Sequence, residues 1–153
     1  NVGKVNGYSE GDFDDGDLRL GVAVAYKLDM NGNKSSDAWA QAFEADAIVK
    51  VAGFDANGAF TWVKEPGADS RVGFHVQAGW FAVPGHGQIV ARFAMLPITV
   101  AGNKENTLEV RGGLNWYFFG HGLKWLTDFG IQKDTTDGAA TDYQFRTQGQ
   151  IMF

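Results

Sequence analysis

Hydrophobic and polar residues alternate one by one through eight segments of this chain. The segment 143–153 shows the pattern, because Tyr143 and Phe145 fall on one parity whereas Gln144 and Arg146 fall on the other. Successive side chains of a β-strand point to opposite faces, so a period of two predicts strands with one apolar and one polar face. The predicted strands lie within residues 17–28, 38–51, 59–65, 72–83, 88–95, 107–119, 123–133 and 143–153.

One of these segments also fits a helix. Trp39, Phe43, Ala47 and Val51 are four residues apart, which is a helical spacing, and the alanines of the segment 38–51 favour a helix. The remaining apolar residues of the segment fall on the same parity as these four, which a strand explains. We therefore interpret the segment as a strand.

Short segments that contain glycine alternate with longer polar segments between the predicted strands. The short segments, predicted to be tight turns, are 55–58, 84–87 and 120–122. The longer segments, predicted to be loops, are 29–37, 65–71, 96–106 and 134–142. This alternation is typical of an antiparallel up-and-down β-barrel of the outer-membrane type. We predict an all-β, transmembrane, eight-stranded barrel region at 17–153, preceded at 1–16 by an acidic, glycine-rich lead-in or the end of an earlier strand.

The filling of the two faces favours a membrane barrel over a water-soluble one. A soluble barrel points its apolar face inward and its charged face into water. Here the apolar face carries almost no charge, and the polar face mixes isolated charges with small residues such as Gly21, Ala23 and Gly113. Such a mixture suits a lumen. The predicted lumen-lining residues are Arg19, Lys27, Glu44, Asp46, Lys50, His75, Arg92, Glu109, Arg111, Lys124, Asp128 and Arg146.

Large aromatic residues cluster towards the ends of the predicted strands. Membrane barrels carry such residues as two girdles at the levels of the lipid headgroups. The predicted girdle residues are Tyr26, Trp39, Trp62, Trp80, Trp116, Phe118, Trp125 and Tyr143.

Composition and charge exclude several other classes of protein. The net charge is −5 over 153 residues without a basic cluster, so we expect no nucleic-acid partner. No stretch of 18 apolar residues occurs, so a membrane would be crossed by strands and not by a helix. The chain begins at Asn1 without a leader, which leads us to expect either a removed signal peptide or a piece of a longer protein.

No motif points to catalysis. The chain has no cysteine, no phosphate-binding loop and no nucleotide-binding fingerprint. Glu44 and Asp46 share a face, where we interpret them as lumen charges and not as an acid/base pair. His86 and His121 lie in similar glycine-flanked turns, and two histidines are too few for a metal site. We expect no enzyme activity, no cofactor and no metal.

The C-terminal third resembles the end of a Gram-negative porin. The matching features are Gly113–Tyr117 at the close of one strand, the turn 120–122, Lys124 at the start of the next strand, and the final pattern of Arg146, Gln148, Gln150 and Phe153. The segment 4–28 is similar to a mid-barrel region of the same family. The likeness covers most of the chain and is greatest to the phosphate-selective porins O and P.

The resemblance implies a homotrimeric passive diffusion channel in the bacterial outer membrane. Phe153 would then belong to the signal that the barrel-assembly machinery reads, and the lipid bilayer and small solutes would be the other partners. Members of this family are about twice as long as this chain or more. Their anion-selecting basic residues lie largely in regions without a match here, so phosphate specificity is not carried over.

Two functions remain open at this point. In the first, the eight strands are part of a wider pore, a porin for small solutes. Seven basic and four acidic residues on the predicted lumen face give it a net charge of +3, so this channel would weakly prefer small anions. In the second, the strands close on themselves into a small barrel filled by side chains, which acts as a structural or interaction protein.

Overall fold

Eight antiparallel strands form one sheet in which the spatial order follows the sequence. The computed structural model describes residues 11–13, 16–30, 39–100, 103–135 and 139–152. The strands are β1 (Arg19–Asp29), β2 (Ala40–Val51), β3 (Phe54–Lys64), β4 (Arg71–Val83), β5 (Gly87–Val100), β6 (Asn103–Tyr117), β7 (Leu123–Asp134) and β8 (Thr141–Ile151). This confirms the prediction of eight up-and-down strands. Within these ranges no helix is long and apolar enough to span a membrane.

The strand assignment of the ambiguous segment is also confirmed. β2 pairs with β1 over Ala40–Lys50 and with β3 over Gln41–Val51, so the four-residue spacing of its large side chains does not reflect a helix. On a strand, residues four apart lie on the same face, and the residue midway between them lies on that face too.

The connections lie alternately at the two ends of the sheet. At one end, the turn end, residues 52–53, 84–86 and 118–122 join successive strands. At the other end, the loop end, the connections are 30–39, 65–70, 101–102 and 135–140. The two-residue turn has positive φ angles at both positions, 50° at Ala52 and 78° at Gly53. This is the backbone of a type I′ turn, whose twist matches that of the strands it joins.

The predicted turn at 55–58 is wrong. These residues lie inside β3, where Asn57 pairs with Ile48 and Gly58 with Ala47. Their composition is typical of a turn, but the chain has already reversed at Gly53. Glycine adopts a positive φ angle with less steric strain than asparagine does.

The predicted loop at 96–106 is also wrong. β5 and β6 stay paired as far as Val100 and Asn103, so only two residues separate them. Pro97 suggested a loop because proline cannot donate a ladder hydrogen bond. It lies beyond Met95, the last residue of β5 that pairs with β4, so β5 has only one bonded neighbour there and tolerates the missing donor.

The apolar face is the exposed one. Val24 and Leu114 are 70% and 57% exposed, whereas Gln88 and Lys50 on the polar face are 1% and 4% exposed. The buried hydrophobic residues of the described ranges also lie on the polar face: Ile48, Phe81, Ala94 and Tyr117. A single sheet can cover only one of its faces, and does so by curling over it. The polar face is therefore concave, and it lines a cavity of about 830 Å³.

The sheet is not closed into a barrel. Among the strands, which are described over their whole length, β1 pairs only with β2 and β8 only with β7. Both edge strands are exposed along most of their length. The closed eight-stranded barrel is therefore not the arrangement seen here.

Two adjacent glycines on β6 allow a test of this close strand packing. A Cβ atom on Gly113 would lie 2.6 Å from the backbone oxygen of Thr127, whereas a Cβ on Gly112 would meet nothing nearer than 4.0 Å. We expect Gly113→Ala to lower the free energy of unfolding by about 1–3 kcal/mol, because β7 must move. Gly112→Ala should leave it unchanged or raise it by up to about 1 kcal/mol. Denaturant titration of the two variants measures both, and equal effects would contradict the register of β6 on β7.

Candidate pore-lining face

All twelve predicted lumen residues lie on the concave polar face. The register shows this directly, because residues that pair across neighbouring strands share a face. One line of paired residues contains Arg19, Lys50, Asp128 and Arg146, a second contains Arg92 and Arg111, and a third contains Asp46, His75 and Glu109. The shared face is a property of the fold; the lining of a pore stays a prediction.

Five of these residues form a ladder of alternating charge across four strands. Arg92 on β5 lies 3.5 Å from Glu109 on β6, and Glu109 lies 3.1 Å from Arg111. Arg111 is bound to Asp128 on β7, which accepts from Arg146 on β8 at 3.1 and 3.3 Å. Three arginines and two carboxylates leave the ladder one positive charge.

Arg111 is the centre of this ladder and is 5% exposed. Its Nη2 also donates to Gln144 on β8 at 2.8 Å, so the guanidinium reaches past β7. This reach requires Gly130, because a Cβ there would lie 2.6 Å from the guanidinium carbon. Loss of both of its carboxylate partners would leave the Arg111 charge buried and uncompensated, which costs about 3–5 kcal/mol. Arg111 therefore joins β6, β7 and β8 on the polar face.

The outer arginines of the ladder have a different environment. The side chains of Arg92 and Arg146 are 36% and 58% exposed and both line the cavity. Exposed ion pairs contribute little to stability, about 0–1 kcal/mol. These two arginines can therefore present charge to the cavity without being needed to hold the sheet.

A second polar network lies on the same face near the turn end. Gln88, which is 1% exposed, donates to Asp55 and accepts hydrogen bonds from Asn115 at 3.0 Å and from the Tyr117 hydroxyl at 2.9 Å. Lys124 lies over the Tyr117 ring, 5.8 Å from its centre. The network joins β3, β5 and β6 and supports the face where the ladder does not reach.

The observed strand limits change the charge of this face. One arginine and four aspartates fall on it in addition to the predicted residues: Arg71, Asp29, Asp55, Asp134 and Asp142. Over the described side chains this gives eight basic and eight acidic residues, a net charge of zero instead of +3.

The charges are separated along the strands. The part nearest the loop end carries two basic and four acidic residues, Lys27, Arg71, Asp29, Glu44, Asp134 and Asp142. The middle and the turn end keep six basic and four acidic residues, a net charge of +2. The face therefore changes sign from the acidic loop end to the basic interior.

The eight predicted girdle residues fall into two groups at opposite ends of the sheet. Tyr26, Trp39, Trp62 and Tyr143 lie towards the loop end, and Trp80, Trp116, Phe118 and Trp125 lie towards the turn end. Trp116 pairs with Trp125 across β6 and β7. Phe153, the predicted assembly signal, lies outside the described residues, and so do residues 1–10 of the predicted lead-in.

Sequence reasoning missed Asp55, Gln88, Asn115 and Tyr117 as a unit. The sequence predicts a turn at Asp55, whose place in β3 depends on the turn at 52–53. Gln88 and Asn115 share the polar parity of their strands, which is the signal that could have found them. Tyr117 and Phe81 could not be found in this way, because two aromatic residues on the polar face break the alternation.

No family model matches the chain, and neither a curated protein nor a solved structure does. The resemblance to porins therefore rests on the sequence features given above.

Gln88 is the best single position at which to test the polar network. Gln88→Met keeps the volume but removes one hydrogen bond each from Asp55, Asn115 and Tyr117. At about 0.5–1.5 kcal/mol per bond, we expect a loss of about 2–4 kcal/mol in the free energy of unfolding. The matched control is Gln148→Met, an exposed glutamine on the same face, which should change stability by less than about 0.5 kcal/mol. Equal losses in denaturant titrations would show that the network does not stabilise the sheet.

Proposed function

We propose that the eight strands form part of the wall of a transmembrane β-barrel, a porin of the bacterial outer membrane that lets small solutes diffuse passively. The observation that carries the proposal is the inverted exposure of the sheet. Its hydrophobic face points outward and its charged face curls inward around a cavity. A protein folded in water buries apolar surface and exposes charge.

The outward face is apolar over a continuous area. One line of paired residues crosses five strands with an exposed hydrophobic side chain on each: Val76, Phe93, Val110, Ile131 and Tyr143. Soluble monomers rarely expose contiguous apolar patches above a few hundred Å². Lipid is the solvent in which such a face is stable.

The height of this face suits the outer membrane. Phe54 and Trp62 mark the two aromatic ends of β3 and are eight residues apart. At about 3.3 Å per residue they are separated by about 26 Å along the strand. A tilt of about 40° reduces this to about 20 Å of membrane depth, to which the aromatic side chains add at both ends. Barrels of the outer membrane have an apolar band about 25 Å tall.

The two free edges favour a wider barrel over a small closed one. In lipid every backbone N–H and C=O group must find a partner, so the outer edges of β1 and β8 must be paired. Further strands between these edges would enlarge the lumen beyond the filled interior typical of eight strands. The alternative, in which β1 pairs with β8 and the interior is filled, would require the sheet to curl further than it does here.

The interior charges support a weak preference for anions. Arg92 and Arg146 present partly exposed guanidinium groups to the cavity. The part of the face on which they lie has a net charge of +2, and rings of basic residues favour anions in a pore. The acidic residues of the loop end lie nearer to bulk water, where salt screens them.

Substitutions at two adjacent residues of β1 test whether the apolar face contacts lipid or water. Val24 and Ala23 are both exposed, so water on both sides would tolerate arginine at either position. In a membrane we expect Val24→Arg to cost about 2–4 kcal/mol and to reduce the amount of assembled protein in outer membranes. Ala23→Arg places its charge opposite Asp46 on the polar face and should assemble normally. Equal assembly of the two variants, measured by heat-dependent gel mobility, would rule out lipid at the apolar face.

Reversal potentials across a salt gradient test the channel and its preference. We expect the wild type to prefer anions weakly, and Arg92→Gln with Arg146→Gln to shift the reversal potential towards cations. The matched control, Lys64→Gln with Lys133→Gln, removes two positive charges from the apolar face and should not shift it. A cation-selective wild type would contradict the anion preference. A wild type that assembles but does not conduct would favour the filled barrel.

A further inference from the structure

An aromatic cluster on the polar face stands out against the alternation of the strands. Phe81 at the end of β4 and Tyr117 at the end of β6 lie on this face, 5% and 0% exposed. Phe13, from the segment before β1, covers both, with ring centres 4.9 Å from each, and it lies equally close to the ring of His121. The segment Gly11–Phe13, which we call the strap, therefore lies against the inside of the curled sheet.

Charged groups anchor the strap on its other side. Asp12, which is 3% exposed, accepts hydrogen bonds from Arg19 at 3.2 Å and from the backbone N–H of Gly53 at 3.1 Å. The buried Lys50 donates to the carbonyl oxygen of Gly11 at 3.1 Å. A charged partner and a backbone N–H together hold this buried carboxylate firmly. If the strap moved away, Arg19 and the Gly53 N–H would lose their acceptor, and a charge buried without a partner is costly.

Through these contacts the strap spans most of the turn end, from β1 to the turn after β6. Asp12 binds β1 and the turn between β2 and β3, whereas Phe13 contacts the end of β4, the end of β6 and the turn after β6. Gly11 has a φ angle of +80°, and a Cβ there would lie 3.2 Å from the Phe13 and Phe81 rings, so the bend into the concave face requires glycine. The strap crosses the mouth of the concave face at the turn end.

We propose that the strap is the constriction of the pore at its turn end and sets the largest solute that passes. The proposal rests on the channel function proposed above. Phe13, which is 36% exposed, is the side chain that narrows the mouth. Asp12 also offsets one of the positive charges of Arg19 and Lys50, so displacement of the strap widens this mouth and makes it more attractive to anions.

Truncation of the strap should enlarge the pore. We expect Phe13→Ala to raise the single-channel conductance and the size of the largest neutral polyethylene glycol that enters. Phe119→Ala is the control, since Phe119 belongs to a turn at the same end and is 78% exposed. An unchanged conductance and size limit in Phe13→Ala would overturn the proposal.

Cross-linking tests the placement of the strap independently of conduction. The natural chain contains no cysteine, so pairs of introduced thiols can be bridged without background. Phe13→Cys with His121→Cys should be joined in the folded protein by a short bis-methanethiosulfonate, which forms a reducible disulfide with each thiol and releases methanesulfinate. Phe13→Cys with Val63→Cys should not, because Val63 lies at the loop end of β3, about 30 Å along the strand from the turn at 52–53.

Before linkage the first variant lacks the Phe13 side chain and should conduct more than the wild type. Linkage fills the mouth again and fixes the strap there, so it should lower the conductance and size limit of the double variant, and reduction should reverse this.

The possible results of these experiments distinguish a failure of the proposed constriction from a failure of the proposed channel. Failure of the first pair to cross-link would overturn the placement of the strap whether or not the protein conducts. A cross-link that leaves conductance and size limit unchanged would overturn the constriction and leave the channel intact. A wild type that does not conduct would overturn both, even where the cross-link forms.

Discussion

The buried guanidinium of Arg111 is the interaction on which the shape of this protein depends. It binds carboxylates on β6 and β7 and an amide on β8, and Gly130 leaves the space for it to pass over β7. These bonds join three strands on the concave face in addition to their backbone ladders. A single sheet can cover only one of its faces, and these contacts lie on the face that it covers. The cavity and its exposed arginines exist only while this curvature holds.

This arrangement changes what stabilises the protein. Within the described part of the chain no layer of secondary structure covers the apolar face, so in water that face would contribute nothing to folding and would promote association. Stability inside the curled sheet comes instead from hydrogen bonds and ion pairs, each worth little unless it is buried and fully paired. The network at Gln88 meets this requirement near the turn end, whereas in the ladder only the centre at Arg111 is buried and its Nε has no hydrogen-bond partner. Lipid around the apolar face would remove its side chains from water and so supply the hydrophobic stabilisation that the sheet lacks in water.

The turn end shows how a polar interior can also hold an apolar cluster. Phe81 and Tyr117 would be wetted on the concave face if nothing covered them, and Phe13 does so from outside the sheet. The same segment brings a carboxylate to Arg19 and a carbonyl oxygen to Lys50. One short stretch thus satisfies the charges and the aromatic surface of one mouth. The open loop end, with its excess of acidic residues, has no comparable cover among the described residues.

The alternation of side chains determined the strands, their faces and the common face of all twelve predicted lumen residues, because a period of two is a local property of an extended chain. The sequence also indicated the two aromatic groups, since these depend only on position along a strand. Only the tertiary structure decided how the strands pair. The turn at 52–53 and the length of β5 and β6 depend on which residues pair across the strands. The observed strand ends, which depend on the same pairing, add Asp55, Arg71 and three more aspartates to the polar face. The curvature, the Gln88 network and the cover that Phe13 forms over Phe81 join residues far apart in the chain, and no local pattern records such contacts.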